Sequence, residues 1–284
     1  MIELEAATLL VGWAAGGWFF LWVTTRRREV GLGYGWLMRG IFLALAAGSL
    51  VAALVSEPVW SREAATAVFV AAGLAAGAVS VIRRSAGTRG QRAEVARRSA
   101  RVAEMAGIGR AEPRFDASAP EFPPVLDLVA AIVGLVAVLL GALAAEGPAG
   151  LAVARAPVGA LFVAAVLSAM LLGHWYLVQP GLARGPLLQM VRAAGVLWLP
   201  ETVVMLWPTG MVSVLNGTID DGYNGLLGWF WAGCAAMTIL LVAVARAALR
   251  ERQYSAVMAA TGLMYLAIVT AFGQDLVARI LLSP

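Results

Sequence analysis

Runs of about twenty apolar residues, broken by short segments that hold most of the arginines, dominate this chain. A bilayer's hydrocarbon core of about 30 Å needs roughly 20 apolar residues per crossing helix. Eight stretches meet that requirement: about 6–24, 36–55, 64–82, 125–145, 157–178, 187–207, 225–246 and 254–278. Segments such as "RRREVGLGYG", "SEPVWSRE", "QPGLARGP" and "NGTIDDGYNG" separate them. Membrane-spanning strands would need short segments of strict alternation, which the sequence lacks. Inside lipid, a lone segment satisfies its own backbone only as a helix. The expected fold is therefore an all-α polytopic membrane protein of about eight transmembrane helices. Composition agrees, since 61% hydrophobic residues, 13% charged and a mean hydropathy of +0.82 lie outside the range of soluble domains.

The arginines set direction. There is no lysine, and all 21 basic residues are arginine. With the N-terminus outside, eighteen arginines fall on the inner side and only Arg62, Arg155 and Arg279 on the outer side. The positive-inside rule favours that arrangement. Glu3 and Glu5 precede the first apolar stretch and Arg26–Arg28 follow it, the reverse of a cleavable signal peptide. The expectation is an uncleaved first span in a bacterial-type cytoplasmic membrane, with both termini outside. The pI near 9.8 then reflects orientation in the bilayer, the expected partner, rather than nucleic-acid binding.

Two regions follow: residues 1–124, with spans 1–3 and a basic loop over 83–124, and residues 125–284, with spans 4–8. Within the loop, "QRAEVARRSARVAEMA" (91–106) can form a helix with Glu94–Arg98 as an i,i+4 pair. Val95, Val102 and Ala106 would line one face, to rest on anionic lipid or a partner; a solvated connector is the plainer alternative. A second division is suggested by "GWFFL" (17–21) and "GHWYL" (173–177), which match in register. Arg39 and Arg192 stand at similar places in the spans that follow. The halves would be spans 1–4 and 5–8, in parallel.

His174, the only histidine, stands near the inner end of span 5 beside Trp175 and Tyr176. One histidine cannot provide both axial ligands of a bis-histidine heme. The single cysteine, Cys234, rules out C-x-x-C-H heme attachment and a four-cysteine iron–sulfur cluster. No heme or iron–sulfur cluster is expected, and no spacing resembles a metal site. An aromatic-flanked histidine at this depth suits the carbonyl of a quinone, with Arg184 and Arg192 on the same side. An ordinary residue of the interfacial aromatic belt is the bland alternative.

Glu201, in "LWLPETVVMLWP", lies deeper than the other acids and follows Pro200, where a kink is expected. A carboxyl inside a span is a functional candidate by default. It would need a partner from another helix, since Arg192 is on almost the opposite face. Asp220 and Asp221 in the outer loop and Asp275 near the end of span 8 complete a candidate proton or ion path. Asp275 and Arg279, near the end of span 8, face the same side and could meet that loop. A plain Asx/Gly turn is the simpler account of the loop itself. Gly12-x-x-x-Gly16 and Gly73-x-x-x-Gly77 fit close helix contacts.

Three functions remain open on sequence. The first is a heme-free, quinone-contacting membrane subunit of an electron-transfer complex, with other membrane or peripheral redox subunits as partners. The second is a secondary transporter or channel using Glu201. The third is a non-catalytic scaffold or assembly subunit.

Overall fold

The computed structural model describes residues 6–55, 58–106, 115–116, 118–145, 148–179, 182–208 and 210–282. Among the described residues, eight helices are long and apolar enough to cross a membrane: α1 (Ala6–Thr25), α2 (Leu32–Ala53), α3 (Trp60–Ile82), α5 (Val125–Ala144), α6 (Ala149–Val178), α7 (Gly185–Leu206), α9 (Leu226–Ala248) and α10 (Tyr254–Leu282). The chain is thus a multi-pass α-helical membrane protein. Among the described residues there are also a 3-10 turn at Arg84–Ala86 and two shorter α-helices, α4 (Arg89–Ala106) in the basic loop and α8 (Met211–Leu215) before α9.

Several spans exceed their hydropathic cores. α2, α3 and α6 begin earlier than expected, at Leu32, Trp60 and Ala149. Apolarity marks the part of a helix that lipid touches. It does not mark where backbone hydrogen bonding stops, so the glycine-rich start of α2, the polar start of α3 and the stretch before Pro157 in α6 lie outside the hydropathic cores. α6 runs through Pro157 and α7 through Pro200 without a break in the helix.

Helix neighbours form two rings with one pattern. α1 packs on α2 and α5, α3 on α2 and α5; likewise α6 packs on α7 and α10, α9 on α7 and α10. The rings join along α1 and α6. This contact is close because of Gly16, whereas a Cβ at Gly12 would meet Ala160 at an ordinary 3.5 Å. A Cβ at Gly16 would lie 2.7 Å from Ala164 Cβ and would also collide with the Ala160 carbonyl. Small residues at such a spacing let two backbones approach and gain dispersion contacts that large side chains would prevent. Gly73 does the same for Trp18, whose ring would be 2.7 Å from an added Cβ, whereas Gly77 faces open space.

The aligned segments do not share environments throughout. Phe20 and Tyr176 are both buried, but Trp18 and Leu21 are buried where His174 and Leu177 are exposed. Trp18 is covered by α3, where Phe69 meets it edge-on and Gly73 lets it in.

α4 is pinned to the arginine-rich end of the first ring. Thr88 accepts the Gln91 N–H at the start of α4 and donates to the Val30 carbonyl, while the Gly90 N–H donates to Arg28 O at 2.9 Å. Glu94 pairs with Arg97 at 3.0 Å; the Arg98, Val102 and Ala106 side chains lie outside the described residues.

That end of the ring is closed by a buried ion pair. Arg39 of α2 donates from Nε to Asp127 Oδ1 (2.9 Å) and from Nη2 to Oδ2 (2.7 Å), and both residues are buried. Ser80 of α3 accepts from Arg39 Nη1 (3.2 Å), and the Thr25 hydroxyl of α1 donates to Asp127 Oδ2 (3.1 Å). The Phe122 ring covers the guanidinium, 4.2 Å from Cζ to centroid. All four helices of the ring contribute. Removing one partner strands a buried charge, so Asp127→Ala should lower unfolding free energy by roughly 3–5 kcal/mol. Arg39→Met combined with Asp127→Leu should recover most of the loss. Unfolding in mixed micelles measures both; equal losses in the single and double variants would refute the account.

Candidate functional site

The second ring gathers its charge at the opposite, arginine-poor end. Glu201 is 0% exposed on α7, and Asp275 of α10 is 1% exposed. Arg279, one turn on, donates from Nε to Asp275 Oδ1 at 2.8 Å. Arg155 of α6 donates to the Val204 carbonyl at 2.9 Å, at the end of α7, and lies within electrostatic reach of Glu201.

Gly159 of α6 measures how tightly these groups converge. A Cβ there would sit 2.5 Å from Arg279 Nη2, 2.8 Å from Asp275 Oδ1 and 3.4 Å from Glu201 Oε2. One guanidinium and two buried carboxylates therefore converge at a point where any side chain on α6 would intrude. Neither oxygen of Glu201 has a hydrogen-bond partner, nor does Asp275 Oδ2 or the neighbouring Gln274 Oε1. Gln274 Nε2 is 3.5 Å from Thr202 Oγ1, a long contact. Unsatisfied buried oxygens are costly. A proton, a water or a ligand would relieve them.

The sequence expectation for Asp275 and Arg279 is corrected here. They turn inward to Glu201 rather than to the outer loop, because helix spacing puts both on the α10 face toward α6 and α7. Asp221 has a different task. Its carboxylate accepts the N–H groups of Tyr223 (2.9 Å), Gly225 (2.8 Å) and Leu227 (2.8 Å), capping the start of α9. Asp220 accepts only the Gly222 N–H, at 2.9 Å, in a local turn.

The other candidates are dispersed at the arginine-rich end. His174 Nδ1 is 3.1 Å from Tyr265 Oη of α10, and both side chains are exposed on the helical surface. Trp175 turns the other way, meets Tyr34 edge-on at 6.0 Å, and donates to Gln179 Oε1 at 3.0 Å. Tyr176 is buried and donates to the Ala183 carbonyl. Arg184 donates to the carbonyls of Glu251, Arg252 and Gln253, beyond the end of α9. Arg192 is exposed. His174, Trp175 and Tyr176 thus face different surroundings, as a 100° step per residue requires.

Two clusters escaped the sequence reading. One is Asp127 with Arg39. The other is Arg62 of α3, fully buried, which donates to Glu63 Oε1 (2.9 Å) and Thr8 Oγ1 (2.6 Å). The available signal was opposite charge at matching depth: Arg62, Arg155 and Arg279, the three arginines on the sparse side, are all engaged inside the protein.

Cys234 is buried and free of disulfides, and among the described residues no three His, Cys, Asp or Glu side chains converge on a metal position. No family model, curated protein or solved structure matches the chain.

Asp221 gives a pH prediction. Burial pushes its carboxyl up, but backbone N–H groups of Gly225, Tyr223, Leu227 and Gly228 together outweigh that and hold it below the ordinary 3.8. A depressed carboxylate stabilises above its unfolded value and stops doing so as pH falls through the folded one. Asp221→Asn should therefore lower the unfolding temperature by a constant amount between about pH 5 and 8, with the gap to wild type closing only below 3.8. A gap that closes near neutral pH would contradict the capping role.

Proposed function

We propose that the chain moves protons or another small cation across the membrane, with Glu201 as the binding group and Asp275 and Arg279 as its electrostatic partners. This is the transporter or channel reading of the sequence. The observation that carries it is a fully buried glutamate with two unpartnered oxygens, facing an acid and an arginine from another helix. Keeping such a carboxyl inside a membrane bundle costs stability, and that cost is retained where function uses the charge. A group that gains and loses a proton needs neighbours of both signs, so that neither state is prohibitively charged. Arg155, Arg279 and Asp275 supply them. Toward the arginine-rich end the same ring carries the buried hydroxyls of Ser168, Thr238 and Thr261, polar steps in an otherwise apolar interior.

The test is proton uptake into vesicles driven by a potassium diffusion potential and followed with an entrapped pH dye. Glu201→Gln keeps the shape and removes the titrating group, and should reduce uptake roughly a hundredfold. Glu201→Asp should retain part of it. Wild-type rates in Glu201→Gln would defeat the reading.

A second reading, a heme-free quinone-contacting subunit of an electron-transfer complex in a bacterial cytoplasmic membrane, is favoured by the His174–Tyr265 pair. His174 Nδ1 and the Tyr265 hydroxyl lie 3.1 Å apart on an exposed helical surface, where the carbonyl of a membrane-borne quinone could approach without crossing the bundle. His174→Ala should weaken binding of a short-chain benzoquinone roughly tenfold, one hydrogen bond's worth, in equilibrium dialysis of the nanodisc-embedded protein. Unchanged affinity would remove the basis for this reading. Redox partner subunits belong to this alternative alone.

A further inference from the structure

We propose that the outer seam between α7 and α9, at the arginine-rich end, binds one anionic phospholipid, with Arg192 and Arg246 on its phosphate and an acyl chain along the furrow between the two helices. The proposal goes beyond the reading of Glu201 and does not depend on it.

Six arginines lie within the eight membrane-spanning helices: Arg39, Arg62, Arg155, Arg192, Arg246 and Arg279. Arg39, Arg62, Arg155 and Arg279 are held by other groups of the protein. Arg192 and Arg246 are exposed, and their guanidinium groups make no ion pair or hydrogen bond among the described residues. The two also stand level with each other. Arg184 donates to the Gln253 carbonyl at 2.8 Å, a Cβ at Gly195 would meet Val242 Cγ1 at 3.4 Å, and Trp198 donates to the Ala235 carbonyl at 2.9 Å. α7 and α9 therefore run antiparallel in a register that sets Arg192 opposite Arg246. Packed helix axes are about 8–10 Å apart, so two arginine side chains can close on one phosphate from either side. The acids beside this end of the seam, Glu29 next to Gly185 and Glu251 beyond α9, sit at the helix ends. Gly185 is about 10 Å along the axis from Arg192, and Glu201 is on almost the opposite face of α7.

The furrow follows from side-chain size. On α7, Arg192, Val196, Leu199 and Val203 recur at three- and four-residue steps and are all exposed, one face beside the seam. On α9, Ala236, Ile239, Ala243 and Arg246 recur likewise, with both alanines exposed and Ile239 half-buried. α7 and α9 also touch less extensively than the other neighbours of their ring. Larger side chains on one wall and alanines on the other leave a lengthwise groove for a straight hydrocarbon chain, running from the arginine pair toward the middle of the bilayer. Charge selects the head group. Two guanidinium groups facing each other in a low-dielectric surrounding repel, and a phosphate between them converts that repulsion to attraction. Each non-bridging phosphate oxygen accepts from one guanidinium. A choline or ethanolamine head would add a third cation with no acid in the seam to receive it. The fit is therefore to a phosphodiester with an uncharged head, at the kind of basic position between helices that takes acidic lipids.

The experiment is native mass spectrometry of the full chain in mild detergent, with unfolding temperature read in parallel. The titrants are phosphatidylglycerol, phosphatidylcholine with the same acyl chains, and glycerol phosphate. Phosphatidylglycerol should fill one tight site and raise the unfolding temperature, and the other two should do neither. Arg192→Gln combined with Arg246→Gln should weaken that site roughly thirtyfold, about fivefold for each arginine. Arg27→Gln combined with Arg84→Gln removes the same charge from exposed positions at that end of the first ring and should leave the affinity unchanged. Ala243→Trp, which fills the furrow without touching the charges, should weaken binding roughly tenfold. All five positions are exposed, so each variant should fold. Equal effects of the two double variants would mean a diffuse basic surface and overturn the site. Equal binding of phosphatidylcholine or of glycerol phosphate overturns the assignment to an anionic lipid, and wild-type affinity in Ala243→Trp overturns the acyl-chain furrow. Proton uptake in vesicles tests Glu201 separately from all of these.

Discussion

A charge inside a bilayer-spanning bundle must find its counter-charge on another helix, and this requirement organises the protein. Arg39 cannot be solvated at its depth, so α2 is tied to α5 through Asp127, with α1 and α3 contributing Thr25 and Ser80. Removing water strengthens attraction within such a pair and makes its loss severe. The clasp therefore fixes which helices are neighbours, a task that apolar contacts alone perform poorly in lipid, where the alternative to a helix contact is an equally apolar chain.

The two ends of the molecule use charge differently. In the Arg39–Asp127 clasp, donors and acceptors match: a bidentate pair, a serine and a threonine. At the other end acceptors outnumber the donors offered to them. Glu201, Asp275 and Gln274 hold oxygens without partners, while Arg279 donates to Asp275 with Glu201 only within electrostatic reach. A matched group resists change, and an unmatched one can take up a proton or ligand at lower cost. This contrast, more than the rarity of buried acids, directs attention to the second ring.

The eight crossings were legible because hydrophobic length is a local property of sequence. Glu201 was legible for the same reason, as an acid within an apolar run. Asp275 was legible as a member of the same path, but not its convergence with Arg279 on Glu201. Asp275 and Arg279 sit near the end of α10, where a charge reads equally well as interfacial, and only the packing of α6, α7 and α10 turns them inward. Asp127 was hidden likewise in the first turn of α5. The cluster around His174 failed for a simpler reason. Adjacency in sequence suggested one pocket for three side chains that a helix distributes around its circumference, leaving His174 with Tyr265 and Trp175 with Tyr34.

The unequal helix lengths carry a mechanical consequence. α6 and α10 contain 30 and 29 residues against 22 for α7, roughly 45 Å against 33 Å at 1.5 Å per residue. A hydrocarbon layer of about 30 Å matches the shorter helix and leaves the longer pair to project or tilt. Asp275 and Arg279 ride on α10, and Glu201 rides on α7. A thinner bilayer would tilt the long pair more than the short helix and slide the arginine past the glutamate it faces. Membrane thickness, set by lipid chain length and sterol-like additives, is thus a variable to which the geometry of the acid cluster should respond.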